Sequence, residues 1–346
     1  MRSLTYAEAI REAFVQLLSS DERVFVIGQG LWNPWYVGAS MTNLDKEFGR
    51  DRIIDSPVSE NATTGAAVGA ALAGMRPIVV HPRMDFMLLA VDPIVNQAAN
   101  WSYMFAGQVS VPLVIRSIIN RGGEQGAQHS QALQAFFMHV PGLKVVMPAT
   151  PFDAKGLLIS AVEDPDPVMY IDDRWLYQHT EDVPESMYSV PIGKAACRRR
   201  GEDVTIVASS YMAHEAVLAG ESLASMGIRA EVIDLRSIKP WDVEMVCSSV
   251  AKTGRLVVAD GGWGTAGVSA EIAATIGAAV FDKLRAPIAR VTLPDCPAPT
   301  SLTLEKAYYP RSDSIIDAVR QLLGVSEEKA CPTRSRLSIR KPTTAG

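Results

Sequence analysis

Four short stretches of this 346-residue chain carry side chains that can do chemistry. The first is Asp55-Ser56-Pro57-Val58-Ser59-Glu60-Asn61-Ala62, which follows the apolar pair Ile53-Ile54. Pro57 and Ser59 mark a strand end, a turn and a helix start, so Glu60 falls in the first turn of a helix over 60–74. A glutamate there complements the helix dipole, worth a few tenths to about 1 kcal/mol, and from spacing alone that reading leads. The helix it opens is unusual, because Gly65, Gly69 and Ala73 recur every fourth residue beside Ala66, Ala70 and Ala71. Residues four apart share a face, and small ones let another backbone come close. That fits tight helix packing, including packing across a subunit interface. The second stretch is His81-Pro82-Arg83-Met84-Asp85-Phe86, just beyond the carboxyl end of a strand, where ligands collect in α/β sheets. Phe86 is either core or a ring stacked on a planar ligand.

The third stretch, Gly122-Gly123-Glu124-Gln125-Gly126-Ala127-Gln128-His129-Ser130, is a glycine-rich loop of the kind that moves or shapes itself around a ligand. His129 caps a helix over 130–139 or serves as acid, base or hydrogen-bond donor; the residues leave both open. The fourth, Asp260-Gly261-Gly262-Trp263-Gly264, looks suited to phosphate but has neither P-loop nor dinucleotide-binding spacing. It reads as a turn leading into a helix over 265–283.

These residues need elements to place them. Short, almost wholly apolar runs at 24–27, 77–80, 112–116, 144–147 and 168–171 read as parallel strands covered on both faces. A second series follows at 204–208, 230–235, 256–260 and 288–293. Helical patterns lie between them. Thr5-Tyr6-Ala7-Glu8 is a capping box opening a helix over 6–19, and Thr150-Pro151 places a cap and a first-turn proline before a helix over 151–163. Alternation of this kind predicts α/β layers with right-handed crossovers. A polar stretch from about residue 179, with Pro184, Pro191, Gly193 and Gly201, separates the two series. The expected organisation is a domain over 1–185, a linker over 186–203, a second domain over 204–325 and a flexible tail over 326–346.

Composition narrows the function classes. Hydrophobic residues make up 48% and mean hydropathy is +0.10, which suggests large buried surfaces, subunit interfaces among them. A net charge of −5 gives no basic stripe for nucleic acid. Arg198-Arg199-Arg200 reads as a solvated turn. No apolar run reaches the roughly 18–20 residues of a membrane span, and the first residues lack the apolar core of a signal peptide. Cys197, Cys247, Cys296 and Cys331 form no CxxC pair, which speaks for a reducing, cytoplasmic setting and against disulfides or zinc.

Taken together, the stretches resemble the beta subunit of the thiamine-diphosphate decarboxylase component of 2-oxo acid dehydrogenase complexes. That family, with pyruvate, branched-chain and acetoin members, sits in the transketolase-like superfamily. The resemblance covers residues 3–325 and rests on Ile54-Asp55-Ser56-Pro57-Val58-Ser59-Glu60, Gln128-His129-Ser130-Gln131 and Pro141-Gly142-Leu143-Lys144-Val145-Val146-Met147-Pro148. Asp153-Ala154-Lys155-Gly156-Leu157-Leu158 and Leu304-Glu305-Lys306-Ala307-Tyr308 add to it. It implies two doubly wound domains, an N-terminal transketolase-like pyrimidine-binding domain and a C-terminal transketolase-type domain. It also implies that Glu60 hydrogen-bonds a pyrimidine nitrogen of thiamine diphosphate, that Phe86 and Val58 flank the ring, and that His129 stands near the substrate. A potassium site is implied at Leu113, Ala161, Val162, Asp164 and Asp166, mostly through main-chain carbonyls, although Asp166 is commonly Asn. The family's diphosphate and Mg²⁺ segment, Gly-Asp-Gly followed by an asparagine pair, is missing from this sequence. An alpha-type chain therefore has to supply that half, giving an α2β2 heterotetramer that is active only as a pair.

Departures mark where this chain differs. Gln29 stands where the family usually has an acid, and His81, Pro82 and Arg83 replace mostly apolar or acidic residues. In Asn120-Arg121-Gly122-Gly123-Glu124, Arg121 and Glu124 either recognise a polar acceptor or are solvated. Three functions follow. The first is a pyruvate-type dehydrogenase that decarboxylates a small 2-oxo acid and acylates a lipoyl acyltransferase. The second is a two-chain carboligase that passes the acyl unit to a sugar or another acceptor. The third is a non-catalytic scaffold, against which the retention of Glu60, Phe86 and His129 argues.

Overall fold

The computed structural model describes residues 2–33 and 37–325, so the expected flexible tail and Cys331 lie outside the described residues. The apolar runs form strands, in chain order β1 (Arg2–Thr5), β2 (Val24–Gly28), β3 (Ile53–Asp55), β4 (Arg76–His81), β5 (Val114–Ile119), β6 (Lys144–Val146) and β7 (Val168–Asp173). They continue as β8 (Thr180–Val183), β9 (Ala196–Arg199), β10 (Val204–Ala208), β11 (Ala230–Asp234), β12 (Ser237–Lys239), β13 (Leu256–Trp263) and β14 (Ala289–Leu293). β4, β5, β7, β10 and β11 are buried almost end to end, which is why their sequences show no alternation.

Two doubly wound sheets result. The first has seven strands in the order β12-β6-β7-β5-β4-β2-β3, and the second five in the order β14-β13-β10-β11-β9. All neighbours pair in parallel except β12 with β6 and β9 with β11. β1 and β8 make a separate antiparallel pair. The strand β12 comes from the second half of the chain yet completes the first sheet. One apolar cluster likewise runs from Val79, Ile115 and Met169 of the first sheet to Val207, Ile233 and Val258 of the second.

The helices follow the caps. Thr5 and Glu8 form both bonds of the capping box ahead of helix Tyr6–Ser20. Thr150 accepts from the Asp153 N–H at the start of helix Pro151–Glu163. Four expectations need correction. The helix opened by Glu60 ends at Leu72 rather than 74. The helix expected over 130–139 forms only as Gln134–Met138, so His129 does not cap it. Residues 260–263 are the end of β13 rather than a turn, and the next helix is Val268–Ala279. The arginine run enters β9 instead of a solvated turn, and Arg198 pairs with Asp153 and with Asp234 at 2.8 Å for the latter. Among the described residues no helix is long and apolar enough to cross a membrane.

Candidate active site

The chain runs from β2 to β3 at one edge of the first sheet, then returns to the other side of β2 for β4 and continues to β5. Connections leaving β2 and β4 therefore diverge, and the region beyond their carboxyl ends is the usual ligand position in such a sheet. The candidate residues all sit at these ends. Gln29 follows β2, Val58 and Glu60 follow β3, His81 and Phe86 end and follow β4, and the glycine-rich loop with His129 follows β5.

Glu60 is the first residue of helix Glu60–Leu72, and Ser59 gives that helix no side-chain cap. The residue is 5% exposed. The Gln29 amide donates to Glu60 Oε1 at 2.9 Å. One turn further along the same helix, Thr64 Oγ1 lies 3.1 Å from Nε2 of His81. His81 is fully enclosed, and desolvation pushes its imidazole down to about 4, with Glu60 opposing the shift. Glu60 thus has an amide on one side and a neutral ring behind it.

Phe86 and Val58 remain 40% and 80% exposed. The Phe86 ring meets His129 edge to face, with centroids 5.2 Å apart and planes at 89°. Asp85 fixes the segment after the histidine, because its Oδ1 accepts the Gln131 N–H at 3.0 Å. Burial raises the Asp85 carboxyl above its usual range. Arg83 reaches across to Oε1 of Gln125 at 2.9 Å and ties the loop to the end of β4.

The loop is shaped rather than loose. Gly122, Gly123, Glu124 and Gly126 all adopt left-handed φ, and a Cβ at Gly122 would meet the Trp175 ring at 2.8 Å. The Glu124 N–H donates to Glu305 Oε1 at 2.8 Å, and Arg121 Nε lies 2.9 Å from Asp173 Oδ2 with both side chains buried. Arg121 is thus neither solvated nor turned toward an acceptor; it helps clamp the loop between the two sheets. Sequence reasoning missed this role of Glu305, although the residue lies in one of the motifs that carried the resemblance.

Of the five residues expected around potassium, Leu113, Val162, Asp164 and Asp166 have oxygens that accept from groups of the chain. Leu113 O accepts from Val168 N at 2.9 Å. Val162 O and Asp164 O accept from the Arg76 guanidinium. The Lys144 ammonium lies 2.7 and 2.8 Å from the Asp164 carboxylate oxygens and 3.3 Å from Asp166. Ala161 is buried in the helix. Two side-chain cations of the chain, Arg76 and Lys144, lie against Val162, Asp164 and Asp166. Among the described residues, no group of three or more His, Cys, Asp or Glu could hold a metal.

The arrangement presents a buried carboxylate with one oxygen uncommitted, an exposed aromatic ring and an imidazole against that ring. It suits a flat heterocycle with a polar edge. Comparison with known proteins bears on the family. Residues 2–179 match the family described as transketolase, pyrimidine binding domain, and residues 193–315 match transketolase, C-terminal domain. The chain is 38% identical over 339 residues to the acetoin:2,6-dichlorophenolindophenol oxidoreductase subunit beta of Bacillus subtilis, covering 93% of this chain and 98% of the relative. It is 42% identical over 321 residues to the pyruvate dehydrogenase E1 component subunit beta of Rickettsia bellii, covering 92% and 98%. Among solved structures it is similar to a split gene transketolase, an inactive beta4 tetramer, with TM-score 0.75, 22% identity and coverage of 94% of this chain and 99% of that one; this last likeness speaks to the fold alone.

Proposed function

The chain belongs to the family of transketolase-type beta subunits of 2-oxo acid dehydrogenases, and on that premise we propose that it holds the pyrimidine half of thiamine diphosphate in an enzyme of pyruvate type. The observation that carries the proposal is the placement of Glu60, Phe86 and His129 just beyond the carboxyl ends of β3, β4 and β5, with Phe86 edge to face against His129. The residues fit the group. Glu60 keeps Oε2 free of the Gln29 bond, and the exposed Phe86 and Val58 offer apolar surface to a ring.

When bound, the cofactor supplies the carbanion stabilisation that loss of carbon dioxide from a 2-oxo acid needs. The chain's residues do the rest. Glu60 hydrogen-bonds a pyrimidine nitrogen and holds a proton there, Phe86 and Val58 fix the plane of the ring, and His129 gives a hydrogen bond to a substrate oxygen. Because Val58 and Phe86 stand open, the site calls for a cover. An alpha-type subunit would provide it, together with the diphosphate and Mg²⁺ site, in an α2β2 assembly working in the cytoplasm. The acyl group would pass to a lipoyl acyltransferase. The burial of Arg121 against Asp173 turns that side chain away from any acceptor, whereas Glu124 stays exposed.

The test is to assemble the chain with an alpha-type partner, thiamine diphosphate and Mg²⁺, and to follow carbon dioxide release from a panel of 2-oxo acids. Release should need both chains and should rise with a lipoyl domain. Release with carbon–carbon bond formation and no lipoyl response would make the pair a carboligase. An assembled pair without turnover on any acid would leave the scaffold.

A further inference from the structure

We propose that Gln29 is a positioning residue that commits one oxygen of Glu60, so that only the other is offered to the ligand. The inference rests on the reading of Glu60 given above. The contact itself is direct, from the Gln29 side-chain amide to Glu60 Oε1 at 2.9 Å.

The donor stands on a fixed backbone. The neighbouring Gly30 N–H donates to Asp55 Oδ1 at 2.6 Å, and the Ser56 N–H donates to Gly28 O at 2.8 Å. These two bonds lock the end of β2 to the end of β3, with Gln29 between them. A glutamate at the first position of a helix has three rotatable side-chain bonds, and a donor held this way selects one arrangement. Preorganisation of this kind is what makes a catalytic group effective before the ligand arrives.

The chemistry of the donor matters as much as its place. An amide gives a hydrogen bond to a carboxylate but takes no proton from it at any ordinary pH. The ring behind Glu60, His81, is buried and neutral, with its Nε2 engaged by Thr64. Both near partners therefore keep constant charge across the neutral range. A carboxylate in place of Gln29 would behave differently, because two carboxylates at hydrogen-bond distance share one proton. In this chain the side chain that meets Glu60 Oε1 is an amide and not a second acid.

The test uses the full chain assembled with its alpha-type partner and three variants, Gln29→Leu, Gln29→Glu and Glu60→Gln. Two quantities are read: the dissociation constant of thiamine diphosphate, from protein fluorescence, and hydrogen–deuterium exchange at the reactive thiazolium carbon between about pH 5.5 and about pH 8.5. Glu60→Gln should abolish exchange. Gln29→Leu should slow it about tenfold and weaken cofactor binding about threefold, the loss of one hydrogen bond to a charged group. Gln29→Glu should move the pH of half-maximal exchange upward by about one unit while the unfolding temperature stays close to wild type. A purely structural contact would leave exchange in Gln29→Leu close to wild type. If Glu60→Gln is silent but both Gln29 variants match wild type in exchange, pH profile and affinity, the positioning role is wrong. If Glu60→Gln itself exchanges normally, the role of Glu60 is wrong and the proposal for Gln29 falls with it. The two Gln29 variants differ in charge and polarity, so a folding failure in one leaves the other to decide.

Discussion

His81 shows how one buried side chain links the site to pH. Its imidazole is ordinarily half-protonated near pH 6.5 in an unfolded chain, whereas burial in the fold lowers it to about 4. A histidine with a depressed folded value stabilises the native state above its unfolded value, and that contribution is lost as pH falls toward the folded one. Between pH 7 and pH 5 the chain should lose about 2 kcal/mol through this group alone. Urea unfolding of wild type and His81→Gln at both pH values checks the point, and the variant should show an acid-side loss smaller by that amount. At this scale turn, strand-end and glycine signals singled out Glu60, Phe86 and His129, and only the family resemblance suggested their roles. Their partners were not found this way, because Gln29 and Glu60 are 31 positions apart and Glu124 and Glu305 are 181 apart. Nothing local marks such pairs; only the crossing of strands brings them together.

At the scale of elements, the strands that sequence revealed are the buried parallel ones, whose apolar runs announce themselves. The short ones were missed for a physical reason. β1, β8 and β9 are polar, partly exposed and antiparallel, and their pairing rather than their composition makes them strands. β9 matters more than its length suggests. Its Arg198 lies between Asp153, in the first turn of helix Pro151–Glu163, and Asp234, at the end of β11. Arg236 also reaches Asp153, at 2.9 Å. Burial raises the Asp234 carboxyl, and Arg198 opposes that rise. Removing the arginine leaves Asp153 with Arg236 but takes the paired cation from buried Asp234, which in comparable cases costs about 3–5 kcal/mol. Arg198→Ala should therefore lower chemical stability by that order, and Arg198→Lys should recover only part of it, because an ammonium cannot match the planar fork.

For the whole molecule, the most telling surface is the small-residue face of helix Glu60–Leu72. Gly65 and Gly69 face open space, with nothing within 4 Å of a side chain built there. The sequence marked this face for close packing, and no element of the described chain takes the place. Gly65→Leu should leave the isolated chain as stable as before or firmer by up to about 1 kcal/mol, since glycine is a poor helix former. The same change should prevent subunit assembly, as sedimentation or light scattering would show. An unchanged assembly would mean that the face is simply solvated.

The third-last strand in chain order, β12, gives the two halves an unequal relation. Ser237 and Lys239 lie opposite Val146 and Val145, so the second half lends the first its outermost strand. A polypeptide stopped at the linker would leave β6 with an open row of amide and carbonyl groups, the kind of edge that recruits strands from other chains. Swapping the second domain for a relative's would have to carry this borrowed strand in the same register. A chimera joined at the apparent boundary between them would have its folding decided at β6 before catalysis was ever tried.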